Sequence, residues 1–377
     1  HVKRPESDDM GAARLSAQHA VGRLPGLKEP ALVCGPDATV WMIWLEQRPQ
    51  ERGRTTALIR RFGDSEAEPQ ELTPAPSNLR SRVHDYGGGA LATAVEQDRL
   101  ILAWIEGGCL WRQNWRLPQT STHQPTPLAA AQRLSREGDW ELADGVLDLP
   151  RQRWIGIREI EGRDELVSLA LSGTDQTPRL LHQPTDFAGY GCLSPDGHRF
   201  AWVEWQQPAM PWDSSSLWCA EFSDTGELLQ PGQLAGGDGV SVFQPQWLPD
   251  GQLLVAEDIT GWWNLMLQPS AGAAWKKPWP MAAETAMPQW IYGMSTTAWD
   301  GEQLIAAVCS RGAWSLQRLS LDGTVQPLPQ PFDDLAGLSA CHGRAVAVAS
   351  NSTCVAGLLE LDLRPVTPIW SHSPAIA

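Results

Sequence analysis

Apolar and polar positions alternate in short runs along most of this chain, and those runs recur in a repeated grammar. Two near-identical turns, Ser194-Pro195-Asp196-Gly197 and Leu248-Pro249-Asp250-Gly251, each precede an alternating strand, Arg199–Glu204 and Gln252–Glu257. Proline presets φ in such a turn, aspartate bonds back to the local backbone, and glycine accepts the left-handed conformation. A third turn, Trp299-Asp300-Gly301, precedes Gln303–Cys309. The offsets are roughly fifty residues, near the upper end of propeller repeats. Apolar strands of the same kind start at Trp41, Leu100, Trp154, Phe200, Leu253, Leu304 and Ala345, each followed by a glycine-containing or polar connection and a second strand. The pattern predicts an all-β chain, a seven-bladed β-propeller with four-stranded antiparallel blades at 37–75, 84–133, 139–183, 187–236, 240–284, 290–330 and 333–370. Residues 117–137 read as an inserted loop plus the outer edge of the second blade. Residues 1–36 read as an N-terminal extension, of which 1–9 are set aside as non-native, and 371–377 as the start of a linker.

Composition sharpens this picture. Twenty Trp stand against six Phe and three Tyr, and 34 Gly and 30 Pro imply many turns. Tryptophan suits sheet-on-sheet packing near polar strand ends, because its large apolar ring carries one N–H that needs a partner. The net charge of -15 and the scattered arginines, densest at Arg52, Arg54, Arg60 and Arg61, leave no continuous basic face, so nucleic acid is excluded as a partner. The seven cysteines are far apart, odd in number and without a CxxC, which argues against a disulfide framework and for a reducing compartment. The longest apolar run, Val40–Leu45, is too short to cross a bilayer, and HVKRPESDDM holds no signal core. The expectation is a cytoplasmic protein with no membrane partner.

Candidate chemistry is sparse. No serine has a complete G-x-S-x-G context; Ser295 and Ser339 have only its first half, so no catalytic residue is assigned. The eight histidines are scattered singly, without H-E-x-x-H spacing, and neither a metal nor another cofactor is expected. Gly87-Gly88-Gly89 is followed by a strand pattern, so it reads as a close backbone approach and not as a phosphate loop. The charged run ahead of it, Arg80, Arg82, His84 and Asp85, exceeds what a plain connection requires. Met210-Pro211-Trp212-Asp213 occupies an extended connection in the fourth blade, where Trp and an acid point to binding. In Gly261-Trp262-Trp263-Asn264 the glycine and asparagine suit the turn, and the Trp pair reads as blade-to-blade packing.

Together these strings resemble the N-terminal propeller of the prolyl oligopeptidase family of serine peptidases, in its acylaminoacyl-peptidase or dipeptidyl aminopeptidase branch. The resemblance rests on Glu46–Arg54, Glu71–Pro76, Arg80–Gly89, Leu193–Gly197, Pro208–Asp213, Gly261–Leu265 and Pro288–Gly293. It implies a two-domain enzyme in which the propeller sits over an α/β-hydrolase domain, supplied in cis and missing here, and its tunnel and inner rim admit short peptides. The rim candidates it implies are Arg80, Arg82, His84, Asp85, Trp212 and Asp213, which would orient a peptide terminus or pair with the hydrolase domain. Where the family has His-Pro ahead of Met-Pro-Trp-Asp, this chain has Gln207-Pro208.

Two other readings stay open. One is a free-standing propeller that binds a protein or ligand on one face, similar in its Ser-Pro-Asp-Gly turns to the propeller of the periplasmic Tol system. The other is a metal-dependent propeller hydrolase or lactonase, which needs acids and amides from several blades converging on the axis.

Overall fold

The computed structural model describes residues 24–85, 87–120 and 123–376. Strand follows strand into neighbouring antiparallel positions, and this local pairing repeats in seven sheets. Their first strands are Gly26–Cys34, Leu91–Glu96, Glu141–Asp148, Phe187–Leu193, Val242–Trp247, Thr297–Trp299 and Asp334–Cys341. These first strands touch those of neighbouring blades, and that of blade 7 touches that of blade 1, so they surround a common axis. The chain is a seven-bladed β-propeller, as the repeat predicts. Blade 5 carries three full strands, its fourth reduced to the Leu267–Lys276 bridge. In blade 2 the edge divides into Thr126–Pro127 and Gln132–Arg133, within the segment read as loop plus outer edge.

Blade 1 begins earlier than the sequence pattern indicates. Its innermost strand, Gly26–Cys34, lies inside the stretch read as an N-terminal extension, and blade 7 runs on to a fourth strand, Ile369–Pro374. The alternation is broken there by a bulge between Lys28 and Ala31, with Glu29 at φ 49°. The same irregularity recurs in the innermost strands of blades 3, 4, 5 and 7, placing Asp144, Tyr190, Gln244 and Gly337 at positive φ. A bulge re-aims a side chain; here it turns these residues toward the axis.

Alternation of strand direction gives the ring two distinct faces. The first strand of every blade starts at the upper face and ends at the lower. The upper face therefore carries the blade-to-blade connections, the hairpins between second and third strands, and both ends of the sheet array. The lower face carries the Ser-Pro-Asp-Gly type turns.

The core lies between blades and holds many of the tryptophans. Trp41, Trp104, Trp154, Trp202 and Trp279 are among the largest fully buried side chains. Each removes roughly 150–250 Å² from water, worth about 4–6 kcal/mol before the ordering entropy is charged against it. Some indole N–H groups find polar strand ends, Trp202 donating to Glu204 (2.7 Å) and Trp279 to the Ser320 carbonyl (2.8 Å), whereas those of Trp41, Trp44 and Trp115 are buried without a partner among the described residues.

No strand is shared between blade 7 and blade 1, so that joint is closed by side chains. Leu32, Met42, Trp44 and Leu58 of blade 1 pack with Val346 and Leu358 of blade 7. Arg60 and Glu360 form a buried fork-like ion pair at 3.2 and 2.9 Å. Cys34 and Cys341 are joined in a disulfide across 307 residues of sequence. This corrects the reading of the cysteines as unpaired. The two lie at the lower ends of the innermost strands of the first and last blades, so only ring closure brings them together and no sequence spacing could announce it.

Candidate functional site

The connection from blade 1 to blade 2 crosses the upper face and ends in Gly87-Gly88-Gly89. Among its charged residues, Arg80, Arg82 and Asp85 are exposed and His84 is half-buried. A short 3₁₀ turn, Val83–Asp85, holds His84 in the left-handed region. Its Nε2 lies 2.6 Å from Asp164 and its Nδ1 3.1 Å from Glu159, both on blade 3, and its backbone N–H donates to Glu159. Burial favours the neutral imidazole, but the hydrogen bond and charge of Asp164, with Glu159 and Asp85, outweigh it and raise the pKa above the ordinary histidine value. With a carboxylate on each ring nitrogen, His84 acts as an imidazolium clasp between the connection and blade 3.

The glycine run is a close backbone approach, as its pattern indicates. A Cβ on Gly88 would collide with the Tyr292 carbonyl, and one on Gly89 with the Asp144 backbone at 2.8 Å. Tyr292 belongs to residues 287–296, which the pattern assigned partly to blade 6 but which instead lead across the axis. Its hydroxyl donates to the Ala188 carbonyl at 2.8 Å and lies 3.4 Å from Asp164. Tyr190 donates to the Ile291 carbonyl (2.6 Å), Gln244 to Ser295 (2.8 Å), and Ser295 to the Leu338 carbonyl (2.6 Å). Gly293 packs against Glu29, and the Tyr292 N–H reaches the Gly87 carbonyl at 3.4 Å. One segment thus touches blades 1, 3, 4, 5 and 7 and the lead-in to blade 2, and it closes the upper end of the channel.

Acids gather beneath this plug. Glu29 takes the Gly89 N–H at 3.2 Å, and Asp144 takes the Tyr190 N–H. Burial, then the charge of Asp144, pushes Glu29 up to about 7. Burial also lifts Asp144 to about 6; the Tyr190 N–H opposes the rise and the Asp164 charge adds to it. Both keep some accessible surface, yet the surrounding protein still penalises their charged forms. Asp164 is fully buried and also accepts the Ala188 N–H at 2.9 Å. Acids do converge on the axis, but each is held by backbone N–H groups and sealed by tyrosines. This arrangement ties strands together, and at its edge His84, Glu159 and Asp164 bring three potential metal-ligand atoms within 4.8 Å of one another.

Trp212, half-buried, and Asp213, exposed, occupy the hairpin between the second and third strands of blade 4. They therefore share the upper face with Arg80, Arg82, His84 and Asp85. The same face presents exposed Met210, Ile259, Trp262 and Trp290. Of the Trp262–Trp263 pair, Trp263 packs edge-on against Phe243, whereas Trp262 faces solvent and is not blade packing. Sequence reading missed Glu29, Asp144, Asp164, Tyr190 and Tyr292. The signal for the last two is the scarcity of Tyr, three in the whole chain.

No protein-family model matches the chain, and no curated protein does. Solved structures do. A puromycin hydrolase is 27% identical with a TM-score of 0.79, over 93% of this chain and 54% of that one. A puromycin-hydrolyzing peptidase of Mycobacterium tuberculosis is 25% identical with a TM-score of 0.80, over 96% and 55%. Prolyl oligopeptidase B from Galerina marginata shares the fold at 10% identity and a TM-score of 0.62. The chain thus spans about half the length of the puromycin hydrolases it matches. A seven-bladed ring, aligned along nearly all of its length with these peptidases, is similar to the propeller portion of prolyl oligopeptidase-family enzymes.

Proposed function

We propose that this chain is the propeller half of a serine peptidase acting on short peptides and peptide-like amides such as puromycin. In this reading it caps an α/β-hydrolase domain carried in cis. The observation that carries the reading is the upper face: both ends of the sheet array leave there, beside the exposed Met210, Ile259, Trp262 and Trp290. Apolar surface of this kind marks a docking face, and a domain attached to either end would lie against it. Restriction to short substrates then works by covering. With the axis plugged, peptides reach the chamber at the rim between the two domains, where Arg80, Arg82, Asp85, Trp212 and Asp213 are the groups placed to meet them. In this reading the nucleophile is carried by the hydrolase domain.

Reading the coding DNA beyond codon 377 tests the proposal. An in-frame continuation with a G-x-S-x-G nucleophile turn followed by an acid and a histidine supports it. A stop codon with no neighbouring hydrolase frame overturns it and leaves a free-standing binding propeller that uses the same face.

The reading also assigns the enzyme to the cytoplasm, and the Cys34–Cys341 disulfide weighs against that, since such bonds persist mainly in oxidising compartments. Thiol trapping on protein taken from cells decides: two free thiols at these positions favour the cytoplasm, and a bridged pair excludes it.

A further inference from the structure

The joint between blades 7 and 1 holds a cleft of about 390 Å³ on the lower side of the ring, away from the face discussed above. One wall comes from the start of the chain, including Arg61 and Gly63, and the other from its end, including Arg344, Asp362, Arg364 and Trp370. Two charge pairs there are self-contained. Arg60 and Glu360 neutralise each other, and Glu360 also accepts the Gly63 N–H at 2.8 Å. Arg364 makes a fork on Asp362 at 2.9 and 2.8 Å. Arg61 and Arg344 are left over: among the described residues neither has a carboxylate within ion-pair distance. Arg344 reaches only the His342 carbonyl (2.8 Å), while Arg61 reaches the Thr120 carbonyl (2.6 Å), lies over the Trp41 ring, and keeps its Nε buried without a partner. In a chain of net charge -15, this is a local excess of positive charge drawn from two blades.

We propose that this cleft binds a small oxyanion, a phosphate or carboxylate group, held by Arg344 and Arg61 and bridging the two ends of the ring. Guanidinium groups only donate, and their planar fork fits two oxygens of such a group. Burial and the neighbouring Arg364 hold the Arg344 pKa below its ordinary value, with Asp362 offsetting part of the effect; an anion relieves that strain. The exposed ring of Trp370 and side chain of Ile369 offer an apolar ledge to whatever carries the anionic group. Because the walls come from opposite ends of the chain, an occupant favours the closed joint, and closure favours the occupant, by the same factor.

Calorimetric titration of the chain with inorganic phosphate, and separately with acetate, at constant ionic strength tests the inference. Saturable binding of at least one anion is expected, and the tighter of the two identifies the group preferred. Arg344→Ala should weaken it by about tenfold or more, with Arg344→Lys, which keeps the charge and loses the fork, in between. Bound anion should also slow amide exchange in Gly26–Cys34. Absence of saturation with both anions overturns the proposal, as does affinity unchanged by Arg344→Ala. If that variant does not fold, Arg61→Ala is measured in its place, and unchanged affinity there overturns the proposal equally.

Discussion

Blades 3 and 4 meet across a joint through which the chain runs directly, whereas blades 7 and 1 meet with no peptide between them. At the first joint Ile155, Ile157 and Leu166 pack with Phe200 and Trp202 in an apolar core extending to blade 6. At the second the apolar cluster is smaller, and a disulfide, a buried ion pair and a backbone-to-Ser339 hydrogen bond (3.0 Å) are added. Directional links cross the first joint as well: Asp164 accepts the Ala188 N–H, Asp144 the Tyr190 N–H, and His182 pairs with Glu204 at 2.8 Å, all laid over the larger apolar core. Where continuity is missing, a covalent link, the Cys34–Cys341 disulfide, is added to them. Such links hold their geometry only if both partners are present.

Four experiments press on this comparison. The largest effect should come from Trp202→Ala at the first joint, which empties a fully buried position and costs about 3–5 kcal/mol in urea unfolding. A cost near zero would show that the core is not what holds blade 4. At the other joint, Arg60→Met strands Glu360 in the interior and should cost about 3 kcal/mol, while Arg60→Met combined with Glu360→Met recovers most of it. If the double variant is as weak as the single, the pair contributes more than mutual neutralisation. Cys34→Ser should cost about 2–3 kcal/mol, with faster amide exchange confined to Gly26–Cys34 and Asp334–Cys341; exchange that quickens equally around the ring would erase the distinction between joints.

The smallest effect concerns pH. Glu29, Asp144 and His84 all have folded pKa values above their unfolded ones. At these three groups the folded state holds more protons, and their contribution to stability is fullest below the unfolded carboxyl values near 4. It falls as pH rises through about 6 to 7 and then through the His84 value. Glu29→Gln should flatten that decline by on the order of 1–2 kcal/mol between pH 5 and 8. An unchanged slope in thermal melts would remove the Glu29–Asp144 cluster as its source.

Most of the ring was legible because blade strands are local: Ser194–Gly197 and Leu248–Gly251 mark the same turn, and the strands beside them alternate. Gly26–Cys34 was not, since a bulge, a proline and an acid interrupt its pattern. The plug was hidden for a different reason. Nothing near Tyr292 in sequence tells that its partners lie at Gly87, Ala188 and Asp164. Among the rim residues, Arg80–Asp85 stood out by charge density, and the structure assigns His84 to a clasp, a role that depends on Asp164 far along the chain. Sequence reading finds what neighbours dictate; what the circle brings together becomes visible only once the circle is closed.

The placement of the array's two ends has one more consequence. Every link between blades runs from the outer strand of one to the inner strand of the next across the upper face, and Pro374 and Gly26 stand in that same relation. A peptide about as long as the link Gln183–Asp186 would therefore make the joint of blades 7 and 1 equivalent to the other six. The molecule is in this sense circularly permutable: a chain that starts at Phe187, passes through the new link and finishes at His182 encodes the same ring, with its opening moved to the joint of blades 3 and 4.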